Sequence, residues 1–137
     1  MKIKVLAMLL AGFSFTAMAN GPETVVRETV KTYIESYLSN DYSSMKEVLH
    51  NDFQNQGINR DGSLSQPLDA RGLKNLMKQQ ESTPVSEQNN EIEVISLQEE
   101  FASVRLVTGP ENSRWTEEIL LEKVRGTWKI KKIVWSF

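Results

Sequence analysis

The residues with chemistry to offer are few. His50 is the only histidine in the chain, and an imidazole can take or give a proton near neutral pH. Asp52 follows two residues later, so in an extended segment the two side chains share one side of the strand. A carboxylate there can fix the imidazole tautomer or, if buried, act as a base itself. His50 and Asp52 are therefore the candidate catalytic pair. The plainer alternative for His50 is a half-exposed residue at a helix C-terminus, where a cation suits the dipole.

A second group offers binding surface. Trp115, Glu117, Ile119 and Leu121 alternate along one stretch and so lie on one strand face. With that face inward, Trp115 can stack on a flat ligand and Glu117 can accept its hydrogen bonds. With the opposite register Glu117 is merely solvated, and alternation does not choose between the two. Tyr33 and Tyr37 sit one turn apart on a helical stretch. They are candidate ligand contacts, the alternative being core rings with hydroxyls at the rim. Trp128 and Trp135 read as core aromatics or interface anchors.

Several chemistries find no support. A lone histidine with scattered carboxylates lacks the ligand spacing of zinc sites and the acidic loop of calcium sites. Gly57, Gly62, Gly72, Gly109 and Gly126 read as isolated turn residues, not as a phosphate loop, and no nucleophilic triad is visible. No metal and no cofactor are expected, and these absences weigh against an enzyme.

The elements that must position these residues follow from periodicity. Val26, Val30, Tyr33, Ile34 and Tyr37 recur at helical spacing within 24–38, with Pro22 and Glu23 suited to the first turn. Asp41 can cap a short second helix over 42–49 that buries Met45, Val48 and Leu49. Asp61-Gly62 between two extended runs signals a hairpin. A third helix is predicted over 71–80, with Leu73, Leu76 and Met77 as its stripe. Strands are predicted over 91–97, 101–108, 114–124 and 127–137, the last four elements forming an antiparallel meander. The class is α+β, with helices on one face of a curved sheet.

Residues 1–19 read as a cleavable signal peptide. Lys2 and Lys4 start it, Val5 to Phe15 form the apolar stretch, and Ala17-Met18-Ala19 offers small residues for cleavage after Ala19. The apolar run falls short of the ~20 residues a spanning helix needs, so no membrane span is expected after cleavage. Export places the domain in the periplasm or outside the cell. Removing the first 19 of 137 residues leaves 118, one domain over 20–137. Basic residues drop from 16 to 14 against 18 acidic ones, a net charge of about −4. That balance argues against nucleic acid and against an anionic membrane surface. With no cysteine, the core alone must hold the fold.

Two stretches carry a family resemblance. One is Val48-Leu49-His50-Asn51-Asp52-Phe53 followed by Asp61-Gly62-Ser63-Leu64. The other is Trp115-Thr116-Glu117-Glu118-Ile119-Leu120-Leu121-Glu122-Lys123, running into Gly126-Thr127-Trp128-Lys129-Ile130. Together they resemble the cone-shaped domains of the nuclear transport factor 2-like superfamily. Within it they are most similar to the exported bacterial group labelled putative lumazine-binding, close to the SnoaL-like polyketide cyclases. Asn51 stands where that group usually has proline, and Ile133 where a lysine often follows.

The resemblance implies N-terminal helices packed on a strongly curved, mostly antiparallel sheet around a conical pocket, and a homodimer through the outer sheet face. It implies no one reaction. Ketosteroid isomerases of the superfamily pair a buried carboxylate with a tyrosine donor, a role open to Tyr33 or Tyr37 here. The leading expectation is an exported binding domain for a small flat ligand, lumazine-like or otherwise apolar. The alternatives are a proton-transfer enzyme using His50 and Asp52, and a non-catalytic homodimeric module of the cell envelope.

Overall fold

The computed structural model describes residues 21–137; the signal peptide expected over residues 1–19 lies outside the described residues. Helix α1, Pro22–Leu38, opens with proline in its first turn and Glu23 beside it. Proline loses nothing there, because that N–H has no helical partner. Val26, Val30, Tyr33, Ile34 and Tyr37 are all buried, so the helical spacing puts one continuous stripe against the sheet. Asn40, at φ 62°, turns the chain. Asp41 then caps α2, Tyr42–Glu47, its carboxylate accepting from the Ser44 amide at 3.3 Å and the Ser44 hydroxyl at 2.6 Å.

Helix α2 is shorter than the sequence suggests. It stops at Glu47, and Leu49 instead begins strand β1, Leu49–Gly57. The cause is tertiary. The Ile130 amide donates to the Val48 carbonyl at 2.8 Å, and the Lys129 ammonium donates to the Glu47 carbonyl. These bonds take up carbonyls at the helix end.

The remaining elements are α3, Ala70–Lys78, and a short 3-10 turn, Val85–Glu87, followed by strands β2, Glu91–Leu97, and β3, Phe101–Thr108. Strands β4, Trp115–Val124, and β5, Thr127–Ser136, complete the chain. The sheet order is β1-β5-β4-β3-β2. Strands β2 to β5 form the antiparallel meander, while β1 lies parallel to β5 at the edge. Pairings are irregular at Val94/Ser96, at Leu120/Leu121 and between Leu49 and Gln54. Such bulges bend a sheet, and the result is a curled open sheet with the helices packed against it.

The hairpin after β1 forms only in part. Gly62 takes φ +87° in its turn, and Asp61 accepts from the Ser63 amide at 2.9 Å. The returning segment makes two isolated bridges, Ile58 with Leu64 and Asn55 with Leu68, in place of a ladder. Pro67 beside the second bridge has no N–H to give. From there Asp69 caps α3 by accepting from the Gly72 amide at 2.8 Å.

Inside the curl, β4 turns Glu117, Ile119 and Leu121 inward and Glu118 and Leu120 outward. Ile130 and Ile133 of β5, Val104 and Leu106 of β3, and Met45 of α2 fill the core beneath α1. Helix α3 adds Leu73 and Met77. Because α3 depends on its cap, we expect Asp69→Ala to cost about 1 kcal/mol. Urea unfolding of the two proteins measures it; an unchanged midpoint would mean the cap is idle.

Candidate functional site

At one end of the curl the concave face stays open as a cavity of about 200 Å³. Its walls come from five elements and the C-terminus: Tyr33 and Tyr37 of α1, Asn55 of β1, Leu73 and Leu76 of α3 with Gln80 beyond it, Trp115 and Glu117 of β4, Trp135 of β5, and Phe137. Apolar and aromatic surface dominates, and the polar groups are held in place by one another.

Glu117 is the centre of that arrangement. It is only 3% exposed. Its Oε1 accepts from the Tyr33 hydroxyl at 2.9 Å, and its Oε2 accepts from the Trp115 indole N–H at 2.8 Å. Burial pushes its pKa up, and the two donated bonds pull the other way. Tyr33 is raised well above the usual phenol value, first by burial and then by the charge of Glu117 and the neighbouring Tyr37. Tyr37 stacks on Tyr33 with ring centroids 6.2 Å apart and accepts from the Gln80 amide at 2.9 Å. Burial pushes it up to about 12, against the pull of the Gln80 bond. Opposite, the Trp135 indole donates to the Asn55 carbonyl oxygen at 3.0 Å, and Phe137 meets the Trp135 ring edge-on at 5.8 Å.

Two glycines seat the two tryptophans. A Cβ on Gly57 would lie 2.5 Å from the Trp135 ring, and one on Gly109 would lie 2.6 Å from the Trp115 ring. Gly109 also sits at φ +101°, which a side chain rarely adopts. Gly57 is thus no turn residue; it is a strand position where a ring packs directly on backbone.

The structure brings Tyr33, Tyr37, Trp115 and Glu117 together on one cavity. It does not bring His50 and Asp52 there. Both fall in the irregular stretch between Leu49 and Gln54, away from the cavity lining. The Asp52 carboxylate is exposed and makes no bond to the imidazole. Instead the Asp52 amide donates to His50 Nδ1 at 2.9 Å. The carboxylate that faces the ring belongs to Glu122, 3.5 Å from Nε2 and also bridged by Lys131 at 2.9 Å. His50 is therefore a brace for the bulge, at the end of β1 remote from Asn55 and Trp135. It lines a separate polar hollow with Lys46, Arg125 and Lys129, and Asp52 borders another with Pro67 and Asp69.

Trp128 is core, 4% exposed, but Trp135 is cavity wall. Sequence reasoning missed Trp135, Asn55, Gln80, Leu73, Leu76 and Phe137 as lining. A glycine inside a strand pattern signals close approach by something bulky, and Gly57 carried that signal for Trp135. Among the described residues no cluster of three or more His, Cys, Asp or Glu could hold a metal ion. No described helix is long and apolar enough to cross a membrane.

This combination of a curled sheet, capping helices and an open concave end defines a nuclear transport factor 2-like domain. The family model described as "Putative lumazine-binding" matches residues 22–136, and the chain belongs to that family. No curated protein matches it. Among solved structures, a nuclear transport factor 2-like protein of unknown function from Shewanella baltica shares the fold at TM-score 0.67 and 22% identity, over 79% of this chain and 86% of that one. One from Methylobacillus flagellatus gives 0.65 and 21%, over 80% and 86%. A ketosteroid isomerase-like protein from Erwinia carotovora atroseptica gives 0.61 and 18%, over 85% and 96%.

Two expectations follow from the geometry. A carboxyl whose folded pKa is raised contributes stability that is fully present below the ordinary value of 4.5 and is lost as pH rises through the folded value. Glutamine can keep both bonds, its carbonyl taking the Trp115 N–H and its amide donating to the Tyr33 hydroxyl. Glu117→Gln should therefore be more stable than the parent at pH 8 by on the order of 1 kcal/mol, with the gap narrowing toward pH 4. Urea midpoints across that range measure it, and a gap that widens on acidification would contradict the reading. Gly57→Ala should cost about 1–3 kcal/mol by forcing Trp135 aside, read from the same unfolding curves.

Proposed function

We propose that the chain is an exported small-molecule-binding domain whose cavity takes one flat, mostly apolar ring system. The observation that carries this reading is the aromatic cavity itself, walled by Tyr33, Tyr37, Trp115 and Trp135. Binding sites of this kind pair apolar walls with a few fixed polar groups, and Glu117 and Asn55 supply those here. The space of about 200 Å³ is on the scale of a fused pair of rings. A lumazine-like compound fits that scale, and the family description points the same way. Export rests on the leader sequence. Self-association belongs to the same proposal: Phe101 and Leu120 are exposed as diagonal neighbours on the outward face of β3 and β4.

Proton transfer is a second reading, favoured by one observation: a buried carboxylate bonded to a tyrosine hydroxyl lies at the cavity wall. It would move the candidate base from Asp52 to Glu117. Its sign would be exchange of an α-proton of a cyclic ketone with deuterated solvent, abolished by Glu117→Gln.

The binding reading is tested by titrating the leader-free protein with lumazine, riboflavin and a steroid while following the three tryptophan indole N–H resonances by NMR. We expect Trp115 and Trp135 to shift saturably with lumazine below about 100 μM and Trp128 to stay still. The steroid should bind more weakly, because four rings exceed the space. Failure of every flat ring compound to move Trp115 and Trp135 would end the proposal.

A further inference from the structure

The polar groups around the cavity are unequally spent. Trp115 gives its N–H to Glu117, Trp135 gives its N–H to Asn55, and Gln80 gives an amide hydrogen to Tyr37. The Tyr33 hydroxyl donates to Glu117. What remains on the wall includes donors, the Tyr37 hydroxyl hydrogen and the Asn55 amide hydrogens, and one charged acceptor: Glu117, whose carboxylate offers about four lone-pair sites and spends two of them on Tyr33 and Trp115. The ring faces of the lining tyrosines and tryptophans are also electron-rich.

Charge is unbalanced in the same direction. The ion pairs among the described residues involve Arg27, His50, Arg105, Arg114 and Lys131, and none includes Glu117. Among the described residues, no Lys, Arg or His lines the cavity. A buried carboxylate without a counter-charge is costly, and a fold that needed only packing would place a leucine at this position.

From this we infer that the ligand is an organic cation: a flat ring or amine whose positive charge is seated against Glu117 and over the aromatic walls. A carboxylate within an aromatic enclosure supplies both Coulomb attraction and cation–π contact, and desolvation strengthens both. The inference rests on the binding reading above and narrows it to a charge class.

The test uses two probes of matched shape, N-methylquinolinium and 1-methylnaphthalene, titrated into the leader-free protein at pH 8 with the Trp115 and Trp135 indole N–H resonances as readout. The cation is expected to bind at least tenfold tighter, about 1.4 kcal/mol, despite its better hydration. In Glu117→Gln the ratio should fall to near one. In Glu118→Gln, one residue away on the exposed face and paired with Arg105, it should persist. Equal affinities in the parent protein would overturn the cation inference and leave the binding reading standing. A preference that survives Glu117→Gln would overturn Glu117 as its source. If neither probe moves either resonance, the cavity reading fails and the inference with it. Should Glu117→Gln not fold, the parent ratio alone decides.

Discussion

Everything at the open end of this domain depends on one buried carboxylate shared between two donors. Glu117 joins α1 to β4 through Tyr33, 84 residues away in the chain, and fixes the rim through Trp115. A charge in that place is tolerable only because both oxygens receive hydrogen bonds. The donors are in turn fixed by it: Tyr33 cannot turn away without stranding the carboxylate, and Trp115 cannot swing without leaving its seat on Gly109. The three side chains form one unit, and the cavity is the space that unit leaves unfilled.

The opposite wall repeats the device with neutral partners. Trp135 packs on Gly57 and donates to Asn55, 80 residues away. Both contacts exist because β1 runs parallel to β5, which pairs Gly57 with Trp135 and Asn55 with Ile133. A conventional hairpin partner for β1 would have covered its free edge and left these rings elsewhere. Instead the edge receives two isolated bridges and α3, which brings Leu73 and Leu76 to the cavity. Cavity wall and sheet topology are therefore the same fact seen at two scales.

Two polar clusters of the domain contrast with each other. At the cavity end the carboxylate is buried and, among the described residues, has no counter-charge, which costs stability. At the far end His50, Glu122 and Lys131 are mutually paired and partly solvated. The Lys131 ammonium holds the Glu122 carboxyl below the usual carboxylate range, and the imidazole braces a bulge. One cluster walls the cavity and the other closes a structural irregularity.

The amino-acid sequence determined the elements that depend on near neighbours. The buried stripe of α1, the Asp41 cap, and the bounds of β2 and β3 were all legible, because helical and strand periods act over a few residues. The family was legible too, from its motif segments. The sequence left the facing of Glu117 open and placed His50 with Asp52, since alternation holds only where a strand is regular. Tertiary structure decided both. The bulge in β1 separates His50 from the cavity, and the parallel β1–β5 register makes Trp135 a wall. Those outcomes rest on contacts between residues some 80 positions apart, whose geometry no local spacing encodes.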